Sequence, residues 1–162
     1  MRTWLYNDAS LTARLIAGCN NDFHVKVLKQ RYARVLRNEE LILGMPHRRF
    51  ALLREVVLYC HDTPVVYARS VIPLQTLTGK QTRLAHLGSR PLGGFLFSCA
   101  SMQREAIELA ELLPGDPVYN QAMRDEDNPV EPIWGRRSIF RLANKPLLVA
   151  EIFLPAIVAV ND

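Results

Sequence analysis

The sequence predicts one sheet-rich domain, because two hairpin patterns stand out among its 162 residues. In the C-terminal pattern, two runs rich in β-branched and aromatic residues flank the short break Ala143–Pro146. In the earlier pattern, a turn at His61–Pro64 joins the predicted strands Phe50–Cys60 and Val65–Pro73. A chain of this length can bury a substantial core, so we expect a single domain over residues 1–162.

The first part of the chain predicts a helix followed by a strand. Trp4–Cys19 is amphipathic, with Ser10 as a candidate N-cap and Gly18 as the closing residue. From there, apolar and polar residues alternate over Phe23–Val35 as in a half-buried strand. The polar stretch Arg37–Arg49 is expected to be a loop that includes a helical turn.

The middle of the chain predicts two short helices and a long loop. Thr78–Gly88 has its apolar residues on one side and ends in a glycine. Pro91 suits the first position of a second helix, whose following backbone N–H groups are available to an anion. The composition of Ser101–Leu113 does not decide between helix and strand. Four prolines, a glycine and an acidic patch predict a surface loop over Leu113–Pro132.

One carboxylate stands in an apolar strand pattern. Because side chains alternate along a strand, Glu151 shares a face with the apolar residues Val149 and Phe153. The opposite face is apolar too, which predicts a central strand. A carboxylate there costs roughly several kcal/mol unless it is paired, hydrogen-bonded or protonated. We favour an ion pair with an arginine of the preceding strand over a carboxyl group that faces a closed cavity. The candidate arginines are Arg136, Arg137 and Arg141.

One arginine stands in an apolar pattern in the same way. Arg54 shares a face with apolar residues on both sides, Leu52 and Val56 among them. Glu55 points to the opposite face and cannot be its partner along the strand. Either Arg54 pairs with a carboxylate across the sheet, or its planar fork is presented to an anionic ligand.

Composition narrows the possible functions. The net charge of +4 and the pI near 9.2 suit an anionic small molecule or a nucleic acid. Lysines and arginines are scattered, without the basic runs of a nucleic-acid groove, so we expect no nucleic-acid partner. The N-terminus has no apolar signal segment, and no apolar run approaches the ~20 residues of a spanning helix. Three widely spaced cysteines, Cys19, Cys60 and Cys99, are expected to be buried free thiols in a reducing cytoplasm.

Motifs for nucleotide, metal and serine chemistry are missing from the sequence. There is no GxGxxG after a strand, no P-loop, no HExxH and no GxSxG. The four histidines lie far apart and without ligand spacing, so we expect no metal site. They are His24, His47, His61 and His86.

Five segments, in order, resemble the bacterial chorismate pyruvate-lyase family. They are Leu53–Leu58, Ala68–Pro73, Arg90–Gly93, Trp134–Ser138 and Lys145–Pro155. The resemblance extends from about Trp4 to Pro155, nearly the whole chain. The segment before Trp4 is shorter than in the family, and the loop Leu113–Pro132 is longer than in one member. That member also carries methionine where this chain has Leu11.

The resemblance implies an α+β fold: a six-stranded antiparallel sheet with helices packed on it and two helical lids over a buried site. It also favours strand over helix for Ser101–Leu113. Family members convert chorismate to 4-hydroxybenzoate and pyruvate, the first committed step toward ubiquinone, without a metal or an organic cofactor. By position, Arg54 binds the ring carboxylate, helped by main-chain N–H groups at Leu11 and Leu92. Glu151 faces the ring hydroxyl and the bond that breaks, so Glu151 and Arg54 are the expected catalytic residues.

Two mechanisms suit so sparse a site. Chorismate must lose the hydrogen at C4, break the C3–oxygen bond and protonate the enolpyruvyl methylene, and aromatisation drives the reaction. The hydrogen can pass to the methylene within the substrate through a six-membered cyclic array, in which case the enzyme mainly fixes conformation. Alternatively, Glu151 carries the proton as a general acid–base. The sequence leaves both mechanisms open.

The competing class is a binding module. A related sheet fold serves as the effector-sensing domain, called UTRA, of some bacterial transcription regulators. The chain starts directly at Trp4, without room for a winged-helix domain before it, which favours the lyase. We further expect a cytoplasmic monomer. Because the proposed contacts lie between the sheet and the helices, a covered product should leave slowly and inhibit the enzyme.

Overall fold

In a computed structural model, which describes residues 1–126 and 129–160, the chain forms an antiparallel sheet with short helices on both faces. The strands lie in the order β1-β2-β3-β7-β6-β4, and β5 also pairs with β6. Their bounds are β1 Phe23–Arg34, β2 Phe50–Cys60, β3 Thr63–Pro73, β4 Met102–Arg104, β5 Glu108–Leu112, β6 Ile133–Leu142 and β7 Lys145–Phe153. The α+β class is confirmed. Over the part of the chain that the structure describes, the expected six strands are seven, because β4 and β5 pair separately with β6 on either side of residues 105–107.

The helices are short and mostly confirm the sequence predictions. The α-helices are α1 Arg2–Leu5, α2 Leu11–Gly18, α3 Arg37–Ile42, α4 Leu92–Ser98 and α5 Pro117–Ala122. Single-turn and longer 3₁₀ segments are Leu74–Thr76, Gly79–His86 and Pro155–Ala159. The predicted helix region Trp4–Cys19 contains two helices, of which α2 has the predicted start and end. Ser10 caps the second, since its Oγ accepts a hydrogen bond from the Ala13 N–H at 3.3 Å. Pro91 is the N-cap of α4 rather than its first residue.

Both predicted hairpins are confirmed. β2 and β3 pair from Ala51 to Cys60 with a bulge after Leu58. β6 and β7 are joined by a two-residue turn at Ala143 and Asn144, whose φ angles are +49° and +66°. Positive φ at both central residues matches the right-handed twist of the flanking strands. This turn fixes the register that places Arg136 opposite Glu151.

The sheet buries side chains on both faces. One face packs against α1, α2, α4 and the 3₁₀ segments that lie near α4 and the C-terminus, and it carries Val56, Phe140 and Val149. The other face packs against the segments around α3 and α5, and it carries Leu53 and Ile152. Arg54 and Glu151 both belong to the first face. The central position of β7, between β3 and β6, is as predicted.

The loop Leu113–Pro132 is more ordered than we expected over its described part. It contains α5, whose Tyr119 is buried and donates a hydrogen bond to the Glu131 carbonyl at 2.9 Å. Asp127, the last residue of the predicted acidic patch, lies outside the described residues. Helices long and apolar enough to cross a membrane do not occur in the described ranges 1–126 and 129–160.

The expectation of three free thiols is wrong for two of the cysteines. Cys19 and Cys60 form a disulfide with their Cα atoms 5.3 Å apart, and Cys99 is free. The pairing follows from the register of the sheet. Cys19 caps the end of α2 just before β1, and Phe23 of β1 pairs with Cys60. A sequence separation of 41 residues gives no hint of this contact.

Candidate functional site

All four predicted site residues line one cavity between the sheet and the helices. Arg54 and Glu151 enter it from β2 and β7, while Leu11 and Leu92 are the first residues of α2 and α4. The cavity encloses about 40 Å³. The register explains the proximity of the charged pair, because Arg54 lies opposite Ser70 and Ser70 opposite Val149, two residues before Glu151.

Arg54 is a buried cation without a carboxylate partner among the described residues. It is 2% exposed, and its Nη2 donates hydrogen bonds to the carbonyls of Gly88 and Arg90 at 3.1 and 2.9 Å. Its Nε has no hydrogen-bond partner within the described chain. Burial lowers the pKa of the guanidinium. The alternative in which Arg54 pairs with a carboxylate across the sheet is therefore wrong, and the group is oriented but not neutralised.

Glu151 forms the ion pair that we favoured and also lines the cavity. Its Oε2 accepts a hydrogen bond from Arg136 Nε at 2.6 Å. The side chain keeps 17% exposure, against 1% for that of Arg136. Arg136 is further fixed by hydrogen bonds from its Nη1 to the carbonyls of Trp4 and Asn7, at 2.9 and 2.7 Å. No described residue donates to Glu151 Oε1. One oxygen is thus anchored while the other stays available.

Of the three candidate arginines, the sheet selects Arg136. It lies directly opposite Glu151 in the β6–β7 register and on the same face. Arg137 and Arg141 point elsewhere and form partly exposed ion pairs with Glu108 and Glu105.

A third arginine of the cavity, Arg104, was missed by the sequence analysis. It lies on β4 opposite Phe140, with its guanidinium carbon 5.1 Å from the centre of that ring. Its Nε donates to Ser138 Oγ at 3.0 Å, and its Nη1 donates to the Asp8 carbonyl at 3.2 Å. Burial lowers the pKa of Arg104, while the charge of Glu151 acts in the opposite direction. Strand alternation would have placed Arg104 on the site face, but only after β4 was recognised as a strand.

The helices α2 and α4 meet at Gly93. A Cβ built there would lie 2.8 Å from Thr12 Oγ1, closer than real Cβ contacts come, so the approach depends on glycine. The backbone N–H groups of a helix's first turn have no acceptor within the helix. In α2 the Ser10 side chain accepts a hydrogen bond from the N–H group of Ala13 but not from the N–H group of Leu11. In α4 no side chain of the described residues caps the N-terminus.

The charges of this cavity distinguish it from a larger one on the other face. Its charged lining among residues 1–126 and 129–160 consists of three arginines and one glutamate, which gives a net charge of +2. The larger cavity encloses about 260 Å³ beside α3 and β5. There, Arg69 is neutralised by Glu39 and Glu55, and Arg137 by Glu108. The smaller cavity is therefore the better anion site. Among residues 1–126 and 129–160, no cluster of three or more acidic, histidine or cysteine side chains could hold a metal ion.

Solved structures with a similar fold include domains of transcription regulators. The C-terminal domain of the histidine utilization repressor from Pseudomonas syringae pv. tomato superposes with a TM-score of 0.63 at 15% identity, covering 86% of this chain and 94% of that one. The ligand-binding domain of a putative GntR-family regulator from Bordetella bronchiseptica gives a TM-score of 0.59 at 15% identity, covering 82% and 84%. At such identities these likenesses concern the fold alone.

Sequence comparison is more specific. A "Probable chorismate pyruvate-lyase" of Methylococcus capsulatus is 45% identical over 162 residues, covering 100% of this chain and 99% of the relative. One of Psychromonas ingrahamii is 43% identical over 158 residues, covering 94% and 81%. The family described as chorismate lyase matches residues 1–160. The chain therefore belongs to the chorismate lyase family.

Proposed function

We propose that this protein is a cofactor-independent lyase that converts chorismate to 4-hydroxybenzoate and pyruvate. The observation that carries the proposal is the buried guanidinium of Arg54, which no described carboxylate neutralises. An uncompensated buried cation is costly to the folded protein, and an anionic ligand would remove that cost. The family membership identifies chorismate as the ligand to test. The proposal takes this reaction to be the first committed step toward ubiquinone, as the resemblance to the family implies.

In this proposal, Arg54 binds the ring carboxylate. The N–H groups of Leu11 and Leu92 add two neutral donors at the first turns of α2 and α4. Hydrogen bonds to a charged acceptor are roughly twice as strong as neutral ones, and the enclosure strengthens them further. The ring is thus held by its carboxylate at one end of the cavity.

Glu151 then faces the ring hydroxyl and the reacting bond. Because Arg136 holds Oε2, the free oxygen Oε1 can accept the hydroxyl hydrogen without rotation of the carboxylate. In the internal mechanism, this hydrogen bond fixes the conformation in which the C4 hydrogen reaches the enolpyruvyl methylene while the C3–oxygen bond breaks. In the acid–base mechanism, the same oxygen takes the C4 proton and returns it to the methylene. Both mechanisms balance, since one hydrogen leaves the ring and one joins the pyruvate methyl group.

Substrate entry requires the helical cover to move. The cavity of about 40 Å³ is far below the roughly 300–1,000 Å³ of small-molecule pockets. Since the sheet is continuously hydrogen-bonded from β1 to β6, α2 and α4 are the elements that can open. These two helices therefore act as the lids, and product release through them limits the rate and causes product inhibition.

The experiment is incubation of the purified protein with chorismate. We expect 4-hydroxybenzoate and pyruvate in equal amounts, with the first followed by its absorbance and the second by a coupled lactate dehydrogenase assay. The Arg54→Met substitution should abolish or strongly reduce product formation. The matched control Arg141→Met, which removes an exposed ion pair, should not. A folded protein that binds 4-hydroxybenzoate but forms neither product would instead be an effector-binding domain, as its structural neighbours of the GntR family suggest.

A further inference from the structure

We propose that Arg104 binds the second carboxylate of the substrate, the one on the enolpyruvyl group, and so makes the site recognise a dianion. The inference rests on the proposed function. Chorismate carries two carboxylates, one on the ring and one on the side chain. Arg54 can neutralise only one of these carboxylates, so the other requires a second cation in the cavity.

The charge of the cavity requires such a partner. Among the described lining residues, three arginines and one glutamate leave two positive charges uncompensated. Arg136 is already committed, because it pairs with Glu151 and donates to main-chain carbonyls of the N-terminal segment. The two cations that remain are Arg54 and Arg104, and neither has an ion-pair partner among the described residues. Two free guanidinium groups match a dianion in number and in sign.

The strand order places these two cations on opposite sides of Glu151. β2 and β4 are four strand spacings apart, about 19 Å at about 4.8 Å per spacing, and β7 is the strand midway between them. The bond from Arg104 Nε to Ser138 Oγ on β6 shows that its side chain extends toward the middle of the sheet. A ligand anchored at Arg54 and reacting at Glu151 therefore presents its far end to Arg104.

Arg104 is also held ready for this role. Ser138 and the Asp8 carbonyl fix Nε and Nη1, and the Phe140 ring supports the guanidinium plane. No described residue accepts a hydrogen bond from Nη2. A guanidinium with its orientation fixed and one donor unused loses little entropy when it binds a carboxylate. The competing interpretation is that Arg104 only ties β4 to the N-terminal segment.

The test compares substrate and product in an Arg104→Met variant. 4-Hydroxybenzoate lacks the enolpyruvyl carboxylate, so its dissociation constant, from calorimetric titration, should change by less than about 3-fold. The kcat/KM for chorismate should fall by about 10- to 100-fold, the usual loss of a hydrogen bond to a charged group. Arg104→Lys keeps the charge without the fork and should recover part of the loss. Arg141→Met serves as the matched control and should behave as the wild type.

Three outcomes would overturn the assignment. Unchanged kcat/KM in Arg104→Met would show that Arg104 does not contact the substrate. Equal losses in kcat/KM and in 4-hydroxybenzoate affinity would show that Arg104 only supports the fold. If Arg104→Met is unstable, Ser138→Ala removes the bond that orients Nε; it should lower kcat/KM several-fold and leave product affinity unchanged, and any other result refutes the proposal. A wild-type protein without turnover would refute the proposed function instead, so the two failures are distinct.

Discussion

Replacement of Arg54 by methionine should separate ligand binding from stability. Arg54 is 2% exposed and bonds only to the Gly88 and Arg90 carbonyls, with Nε unsatisfied within the described residues. Burial of an ion costs several kcal/mol, roughly, while hydrogen bonds from a charged donor return about 1.5–3 kcal/mol each. The two contributions are similar in size. We therefore expect the free energy of unfolding of Arg54→Met to stay within about 1 kcal/mol of the wild type.

Arg69→Met is the matched control. Arg69 is also buried, at 9% exposure, but it hydrogen-bonds Glu39 at 2.7 Å through Nε and contacts Glu55 through Nη1. Its removal leaves two buried carboxylates without a cation, a change that costs about 3–5 kcal/mol. Arg69 lies on the opposite face of the sheet and lines the larger cavity, so the affinity for 4-hydroxybenzoate should persist.

Urea unfolding with and without 4-hydroxybenzoate measures both effects. A ligand at about 100 times its dissociation constant adds about 2.7 kcal/mol of stability. If Arg54→Met weakens binding about 100-fold, the same concentration adds only about 0.4 kcal/mol. An Arg54→Met protein that loses as much stability as Arg69→Met, yet keeps the full ligand effect, would show that Arg54 is a structural residue and that the reasoning is wrong.

The remaining predictions concern the carboxylate, the cover and acid stability. Glu151→Gln should lower kcat by roughly 10²–10⁴-fold if Glu151 transfers the proton, and by only a few fold if it positions the ring. Rapid mixing with chorismate should show a burst of bound product before a slower phase; Gly93→Ala, whose Cβ meets Thr12 Oγ1 at 2.8 Å, should speed the slow phase. A linear time course in the wild type would exclude lid-limited release. Hydrogen bonds from His47 and Arg37 lower the pKa of Glu40 to about 2. The stabilisation from this lowered pKa is present above the unfolded-state pKa of about 4.3 and is lost as the pH falls toward 2. In the Glu40→Gln variant, the free energy of unfolding should therefore depend less on pH in that range. Identical acid-unfolding curves for the wild type and Glu40→Gln would contradict this prediction.

The predictable parts of the site are those that depend on strand alternation. Arg54 and Glu151 each interrupt an apolar row, and a period of two assigns both to a face from sequence alone. Whether Arg54 and Glu151 lie on the same face of the sheet depends on the strand register. That register is fixed only when β3 is placed between β2 and β7. The likeness to the family supplied that step, and it also supplied Leu11 and Leu92, which carry no signal in their own side chains.

The unpredictable parts depend on contacts between distant segments. Arg104 lies on a strand of three residues, too short for alternation to show, and β4 is separated from β5 by residues 105–107. The Cys19–Cys60 disulfide arises because the end of α2 reaches the end of the β1–β2 pair. Tyr119 is buried in a segment whose prolines and acidic residues predict a surface loop. In each case tertiary packing decides what local composition cannot.

The positions of the two free arginines also bear on the order of product release. If Arg54 and Arg104 bind the two carboxylates as proposed, cleavage of the C3–oxygen bond leaves one monoanion near Arg54 and one near Arg104. The ring product keeps the buried Arg54, the helix N–H groups and Glu151, whereas pyruvate keeps a guanidinium that is less buried and already donates to Ser138 and Asp8. Interactions that are equal for substrate and product do not accelerate the chemical step. On this assignment, the contacts at Arg54 would delay release of the ring product, whereas the contacts at Arg104 would act on pyruvate alone once the bond has broken. We therefore expect pyruvate to leave first and 4-hydroxybenzoate to be the product that holds α2 and α4 closed.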